Sequence, residues 1–331
     1  INGATDWVYE EEFSIHKGFE WSPDGKKLAY YVFDETDVKE FQMKMYGTLY
    51  PTHYKFKYPK AGEDNSLISI RIFDTQYDRH FVFDVGNNPD IYIPRIMWSK
   101  RRDELIVFKM NRLQNKLELL SGTFSMDTPN NIGIKTKPIY TENSTTYIDI
   151  HDNTSFINEN EFIWTSEKDG YNHIYLINYA NGTEKQLTSG DWDVTEVYGY
   201  ASQSKKIFFQ AAKSHPTKRE IYALYTKNNK IELLTEKSGT NEANFSKTFN
   251  YFINTHSSAD TPFEITLHNQ KGKLVKTLEK NEVLKNKLLE FNLTNKEFFT
   301  IPNEDGILLN AWMIKPKLLD TLKKHPLLMF V

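Results

Sequence analysis

The run Asp6-Trp7-Val8-Tyr9-Glu10-Glu11-Glu12-Phe13 carries the most distinctive chemistry in this 331-residue chain. Three adjacent carboxylates repel one another unless a cation sits among them. The residues alone leave two readings open: a solvated acidic turn, or a cation site flanked by aromatic rings. A primary ammonium suits the second, because it offers three N–H donors and no acceptor. Two carboxylates converging on it would form charge-assisted hydrogen bonds, each worth roughly 1.5–3 kcal/mol.

No second centre competes with it. The chain has no Gly-x-Ser-x-Gly nucleophile elbow. Its nine histidines form neither a His-x-x-x-His nor a His-Glu-x-x-His zinc pattern, and there is no Gly-rich phosphate loop. No metal or cofactor is implied. His173, inside a strand-like run, reads as structural. The absence of cysteine excludes disulfides, thiolate metal ligands and a Cys nucleophile. A net charge of −3 gives no nucleic-acid footprint. No apolar stretch approaches the roughly 18–20 residues needed to span a bilayer. Asn-x-Ser/Thr triplets begin at Asn143, Asn181 and Asn292 and carry little weight in an Asn-rich chain.

The elements that must position the acidic run are strands. The chain has 22 Phe and 19 Tyr, and aromatic side chains favour pleated, half-buried surfaces. The runs Phe162–Ser166, Ile207–Ala211 and Tyr251–Thr255 recur about every 45 residues. Each is followed by a second alternating strand, at His173–Ile177, Glu220–Leu224 and Phe263–Leu267, and by a third at Glu184–Leu187, Lys230–Leu234 and Leu274–Leu278. Earlier units start at Leu105–Phe108 and at Leu28–Val32, the latter just after the turn Ser22-Pro23-Asp24-Gly25. A fixed repeat of four short strands predicts β-propeller blades, about five of them. The alternative is a two-sheet sandwich with irregular strands, which does not require a fixed repeat. An excess of roughly 30 residues in the first unit places an inserted arm at Val38 to Asn65. Tyr50-Pro51 and Tyr58-Pro59 suit an extended, partly exposed arm, since the residue before proline is pushed out of the helical region; a floppy surface loop is the other reading.

After Asn292 the pattern changes. Phe298–Ile301 and Leu308–Ile314 read as a hairpin, and Leu327 to Val331 as a buried strand opening an α/β domain. Residues 1–295 are therefore expected to form the partial propeller, and 296–331 the start of a second, α/β domain. Ile1 is not an initiator Met and the last apolar run stops mid-strand, so the chain reads as a fragment.

These residues resemble the dipeptidyl peptidase IV family of prolyl oligopeptidase-type serine peptidases. Besides the acidic run, the resemblance rests on Trp21–Gly25, Phe33–Val38, Tyr58-Pro59-Lys60-Ala61-Gly62-Glu63, Ser166–Tyr175 and His325–Val331, in that order along the chain. It implies an eight-bladed propeller packed on an α/β-hydrolase domain, with a Ser-Asp-His triad that cleaves after a penultimate Pro or Ala. By position, Glu11 and Glu12 would grip the peptide's N-terminal amine from a short helical segment, with Glu10 outside that shell. The arm, with Tyr50, Tyr58 and Pro59, would help form a homodimer. The triad and the Arg that accompanies the double Glu would lie outside this chain, which alone would be inactive. Where animal members carry an Arg-Phe-Arg stretch, this chain reads Thr146-Tyr147-Ile148-Asp149, so that part of the pocket must differ. The lack of cysteine fits a bacterial-type member, for which a periplasmic, cell-surface or secreted location is expected. A tripeptidyl or oligopeptidase relative and a non-catalytic binding propeller are the competing functions.

Overall fold

A computed structural model of the chain describes residues 1–101, 103–128, 131–291 and 293–330. Asn292 and Val331, which figure in the sequence expectations above, lie outside the described residues. A short helix, α1 (Trp7–Phe13), precedes the first sheet. That sheet contains β1 (Phe19–Trp21) and β2 (Lys27–Asp34). The hairpin β3 (Glu40–Met45) and β4 (Thr52–Lys57) follows, then β5 (Leu67–Asp74) and β6 (Arg79–Phe83), giving the order β1-β2-β5-β6 with the hairpin as an excursion. This two-stranded excursion falls within the span 38–65 that the sequence reads as an inserted arm.

Four more antiparallel four-stranded sheets follow. They are β7 (Ile91–Trp98), β8 (Glu104–Asn111), β9 (Lys116–Thr128) and β10 (Asn131–Asn143); β11 (Ser155–Phe156), β12 (Glu161–Ser166), β13 (His173–Asn178) and β14 (Glu184–Gln186); β15 (Val194–Ala201), β16 (Lys206–Ala211), β17 (Glu220–Tyr225) and β18 (Lys230–Leu233); and β19 (Thr240–Phe245), β20 (Tyr251–Ser258), β21 (Thr261–Asn269) and β22 (Leu274–Glu279). Each keeps chain order across the sheet. Repeated four-stranded meanders are the blades of a β-propeller, so the fold class is all-β and propeller-like, as expected. The chain divides into two compact units, 1–169 with 174–186, and 170–173 with 187–331.

The periodic runs in the sequence are the second strands, β2, β8, β12, β16 and β20. These have strand neighbours on both edges, and in β8 and β16 nearly every residue is buried, which gives a continuous rather than alternating apolar run. In the first sheet a tight turn joins β1 to β2. Ser22 Oγ donates to Asp24 Oδ1 at 2.7 Å, Lys26 N–H to the same oxygen at 3.1 Å, and Gly25 supplies a φ of 70°, a value cheap only for glycine. These bonds, the serine hydroxyl's first, hold the Asp24 carboxyl below its ordinary range.

Beyond the last sheet lie α2 (Glu282–Glu290) and the hairpin β23 (Glu297–Pro302) with β24 (Leu308–Met313). The hairpin matches the expectation; the buried strand does not. Leu327 to Phe330 lie outside regular structure, with Leu328 96% and Phe330 94% exposed. A core strand of an α/β sheet is held by neighbours on both edges and helices on both faces; among the described residues, nothing pairs with this run.

Candidate functional site: the acidic helix and its supports

Helix α1 begins where Asp6 can cap it. The Asp6 backbone is extended (φ −83°, ψ 178°), and its Oδ1 accepts from Tyr9 N–H at 3.0 Å, satisfying a donor the first turn leaves free. Its Oδ2 accepts from Ser66 Oγ at 2.5 Å. Tyr9 and Phe13, one turn apart, form the buried face. Their rings meet each other at 5.1 Å, Tyr9 meets Phe33 at 5.0 Å, and Phe13 meets Tyr92 at 5.2 Å. Burying the Phe13 ring contributes roughly 1.5–3 kcal/mol. Ser14, at φ 53°, ends the helix, and Ile15 N–H returns to the Tyr9 carbonyl at 3.2 Å.

Tyr9 is 1% exposed, and its hydroxyl accepts from Ile93 N–H at 2.7 Å. Burial pushes the phenol well above its usual pKa. Tyr9→Phe removes the acceptor and strands a buried N–H, which costs about 1–3 kcal/mol. We expect a lower urea midpoint with an unchanged m-value; an unchanged midpoint would show that this bond holds nothing.

With one face locked, helical geometry turns Glu10, Glu11 and Glu12 outward, and all three are exposed. Glu10 belongs to the first turn, whereas Glu11 and Glu12 fall in the last, where the macrodipole disfavours negative charge. This breach of helix-end chemistry falls at the residues assigned to cation binding, and local rules tend to be broken at functional sites. Glu10 Oε1 lies 3.8 Å from His16 Nδ1, so it has a neighbour of its own and is set apart from the other two. The helix end is held instead by Arg95. Its Nη1 donates to the Phe13 carbonyl at 2.7 Å, while Nε and Nη2 fork onto Asp152 at 2.5 and 3.2 Å. The Arg95 bonds hold the Asp152 carboxyl below the usual range.

That fork ties α1 to the segment Thr146–Asp152. Ile148 is buried there, its N–H donating to the Gln114 carbonyl at 2.8 Å, while Tyr147 and Asp149 face outward. The Tyr147 phenol is raised by partial burial first, then by the Asp149 and Glu12 carboxylates. The segment expected to remodel the pocket therefore stands within the field of Glu12.

The arm residues do not form one site. Tyr50 is 80% exposed at the hairpin tip, whereas Tyr58 and Pro59 are half-buried at its base. The base joins Trp7, Phe41, Met43 and Phe56 around a cavity of about 670 Å³; Glu11 and Glu12 lie outside that lining. His173, read as structural, is enclosed, with Nε2 at 2.8 Å from the Gly190 carbonyl and Nδ1 at 3.1 Å from Thr188 Oγ1.

Comparison with known proteins decides the family. Residues 1–263 match the family described as the dipeptidyl peptidase IV (DPP IV) N-terminal region. The chain belongs to the dipeptidyl peptidase IV family. The crystal structure of Porphyromonas gingivalis dipeptidyl peptidase 4 is similar over 97% of this chain and 45% of that one, with a TM-score of 0.89 and 38% identity. Dipeptidyl peptidase 4 of Arthroderma otae is 28% identical over 99% of this chain and 44% of its own length. That of Trichophyton equinum is likewise 28% identical, with the same coverage. The chain thus spans a little under half the length of these relatives.

Sequence reasoning did not single out Arg95 or Asp152. The available signal was a lone arginine in the apolar strand Ile91-Tyr92-Ile93-Pro94-Arg95-Ile96, which had to face a partner. Asp152, 57 residues away, could not be paired with it before the fold was known.

Proposed function

We propose that this chain is the substrate-gating, N-terminus-recognising propeller of a dipeptidyl peptidase IV-like serine exopeptidase that releases X-Pro or X-Ala dipeptides. Glu11 and Glu12 take the peptide ammonium, and the residues from 296 onward open the hydrolase domain. The observation that carries this reading is a pair of exposed carboxylates in the last turn of a helix whose opposite face is fixed by Tyr9 and Phe13, in a chain whose relatives bear the name dipeptidyl peptidase 4. An ammonium held at a fixed distance from a nucleophile makes the enzyme a ruler, and binding energy at the amine orients the scissile carbonyl. Homodimerisation through the arm carrying Tyr50, Tyr58 and Pro59, and a periplasmic or cell-surface location, complete the proposal.

Two measurements test it. The 331-residue chain alone should hydrolyse no X-Pro chromogenic amide, because it has no nucleophile elbow; turnover by the pure chain overturns the assignment of catalysis to a separate domain. In the full-length protein, dipeptidyl amides should be cleaved in preference to tripeptidyl amides. The reverse order marks a tripeptidyl peptidase, and inactivity on both marks a binding propeller.

A further inference from the structure

Three contacts fix α1, and each acts on a different part of it. Tyr9 and Phe13 seat it on the blade, and Arg95 holds its C-terminal carbonyl. The third contact is made by the arm. Trp7, the first helical residue, is 38% exposed and packs against the arm base, not the blade core. Its ring stacks on Phe56 at 4.7 Å with an interplanar angle of 27°, and meets Tyr58 edge-on at 5.6 Å. Phe41, on the other arm strand, closes the cluster at 5.8 Å from Phe56 and 5.7 Å from Tyr58.

This arm base is built to hold position. Lys57 Nζ donates to the Val38 carbonyl at 2.7 Å, and Tyr58 N–H to the Lys39 carbonyl at 3.0 Å. Lys39 pairs with Glu63 at 3.1 Å, and Arg112 Nη2 donates to the Glu63 carbonyl at 2.7 Å. The outgoing chain is tied down by Asn65 Nδ2, which donates to Tyr92 Oη at 3.0 Å, and by the Ser66 hydroxyl on Asp6. The helix therefore meets the arm at Trp7, while its cap Asp6 is held by Ser66, on the chain just leaving the arm.

Helical spacing makes the Trp7 contact matter. Positions four apart share a face, and side chains lean back toward the helix N-terminus. Glu11 is four residues after Trp7, so its carboxylate stands on the face whose lower edge is the Trp7–Phe56 stack. Tyr9 and Phe13 lie on the opposite side and cannot fix that edge. The geometry points to Trp7 as a positioning residue: the arm, through its stack on Trp7, sets where Glu11 is presented. This inference rests on the reading of Glu11 as an amine-binding group and adds that the arm governs the aim of that group.

The test uses the full-length protein, Gly-Pro para-nitroanilide as substrate, and concentrations corrected by active-site titration. Trp7→Ala should lower kcat/KM on the order of 10-fold, as expected when a binding group is displaced by a fraction of an ångström, with a raised KM accompanied by a smaller fall in kcat, the same pattern as for loss of the Glu11 contact itself. Trp7→Phe should restore KM to within about 2-fold, because a ring can still stack on Phe56. Phe56→Ala, which leaves the helix untouched, should reproduce the KM rise. The double variant should be no worse than either single one, because both remove the same contact. A purely structural role would instead lower the titrated active fraction and the Tm while leaving KM unchanged, and that result overturns the inference. Glu11→Ala run alongside separates the two levels. If it raises KM while Trp7→Ala and Phe56→Ala do not, the arm coupling fails and amine recognition stands. If Glu11→Ala itself changes nothing, both fail.

Discussion

Glu11→Ala or Glu12→Ala, introduced into the full-length protein, should lower kcat/KM for an X-Pro chromogenic amide by roughly 30- to 1000-fold, about 2–4 kcal/mol of transition-state binding. The size follows from the bonds lost. In the proposed site each carboxylate would accept charge-assisted hydrogen bonds from the ammonium worth roughly 1.5–3 kcal/mol, and its removal would leave the ammonium with one acceptor fewer. Both kinetic constants should move. Lost ground-state binding raises KM, while energy that had oriented the scissile bond is missing from kcat. Glu→Gln variants keep an acceptor but drop the charge, and should fall between wild type and Ala. Glu10→Ala, at the position beside His16, should fall well short of either. Unchanged specificity constants in both the Glu11 and Glu12 variants would reduce the acidic run to a solvated helix end.

What the sequence disclosed and what it hid have a common physical cause. Strands buried on both faces leave unbroken apolar runs, so Phe162–Ser166 and Ile207–Ala211 announced their blades and set the repeat. First strands such as Ser155–Phe156 and Thr240–Phe245 are short or polar and left no mark. The arm showed as surplus length, but only the fold placed Tyr58 against Trp7 and Tyr50 far from it. In the acidic run, residue types suggested a cation, while the direction of the carboxylates depended on Tyr9 and Phe13 finding a core to enter. The supports of that helix are long-range. Ser66 reaches Asp6, Ile93 reaches Tyr9, and Arg95 reaches Phe13 and Asp152; none of these pairs is marked by local spacing. Leu327 to Phe330 show the converse. An apolar run encodes a wish for burial, but the strand forms only where a sheet receives it.

The same supports should make the chain's stability depend on pH through His151. Its Nε2 sits 2.7 Å from the Thr165 carbonyl, which can only accept, so Nε2 carries the proton and Nδ1 accepts from Asn153 N–H at 3.3 Å. The ring stands edge-on to Trp164 at 4.5 Å. Burial, with the Arg95 charge assisting, pushes the imidazole down to about 4, against the smaller opposing effects of the Thr165 carbonyl and Asp152. An unfolded histidine titrates near 6.5. Between those two values the unfolded chain binds a proton that the folded chain refuses, so stability rises with pH across the window. It is fully present above about pH 6.5 and is lost as pH falls toward 4, by about 3 kcal/mol at most. Asp152 titrates in a separate window: its lowered carboxyl contributes stability that is lost only below the ordinary aspartate value near 3.9. Urea midpoints followed by near-ultraviolet circular dichroism from pH 7 to 4.5 should therefore fall steadily in the wild-type chain. In His151→Gln, which can still donate to Thr165, they should fall much less, and parallel slopes would assign the effect to other groups. The consequence reaches the helix. Protonating His151 places a cation in the field of both Asp152 and Arg95, the two groups of the fork that holds the Phe13 carbonyl.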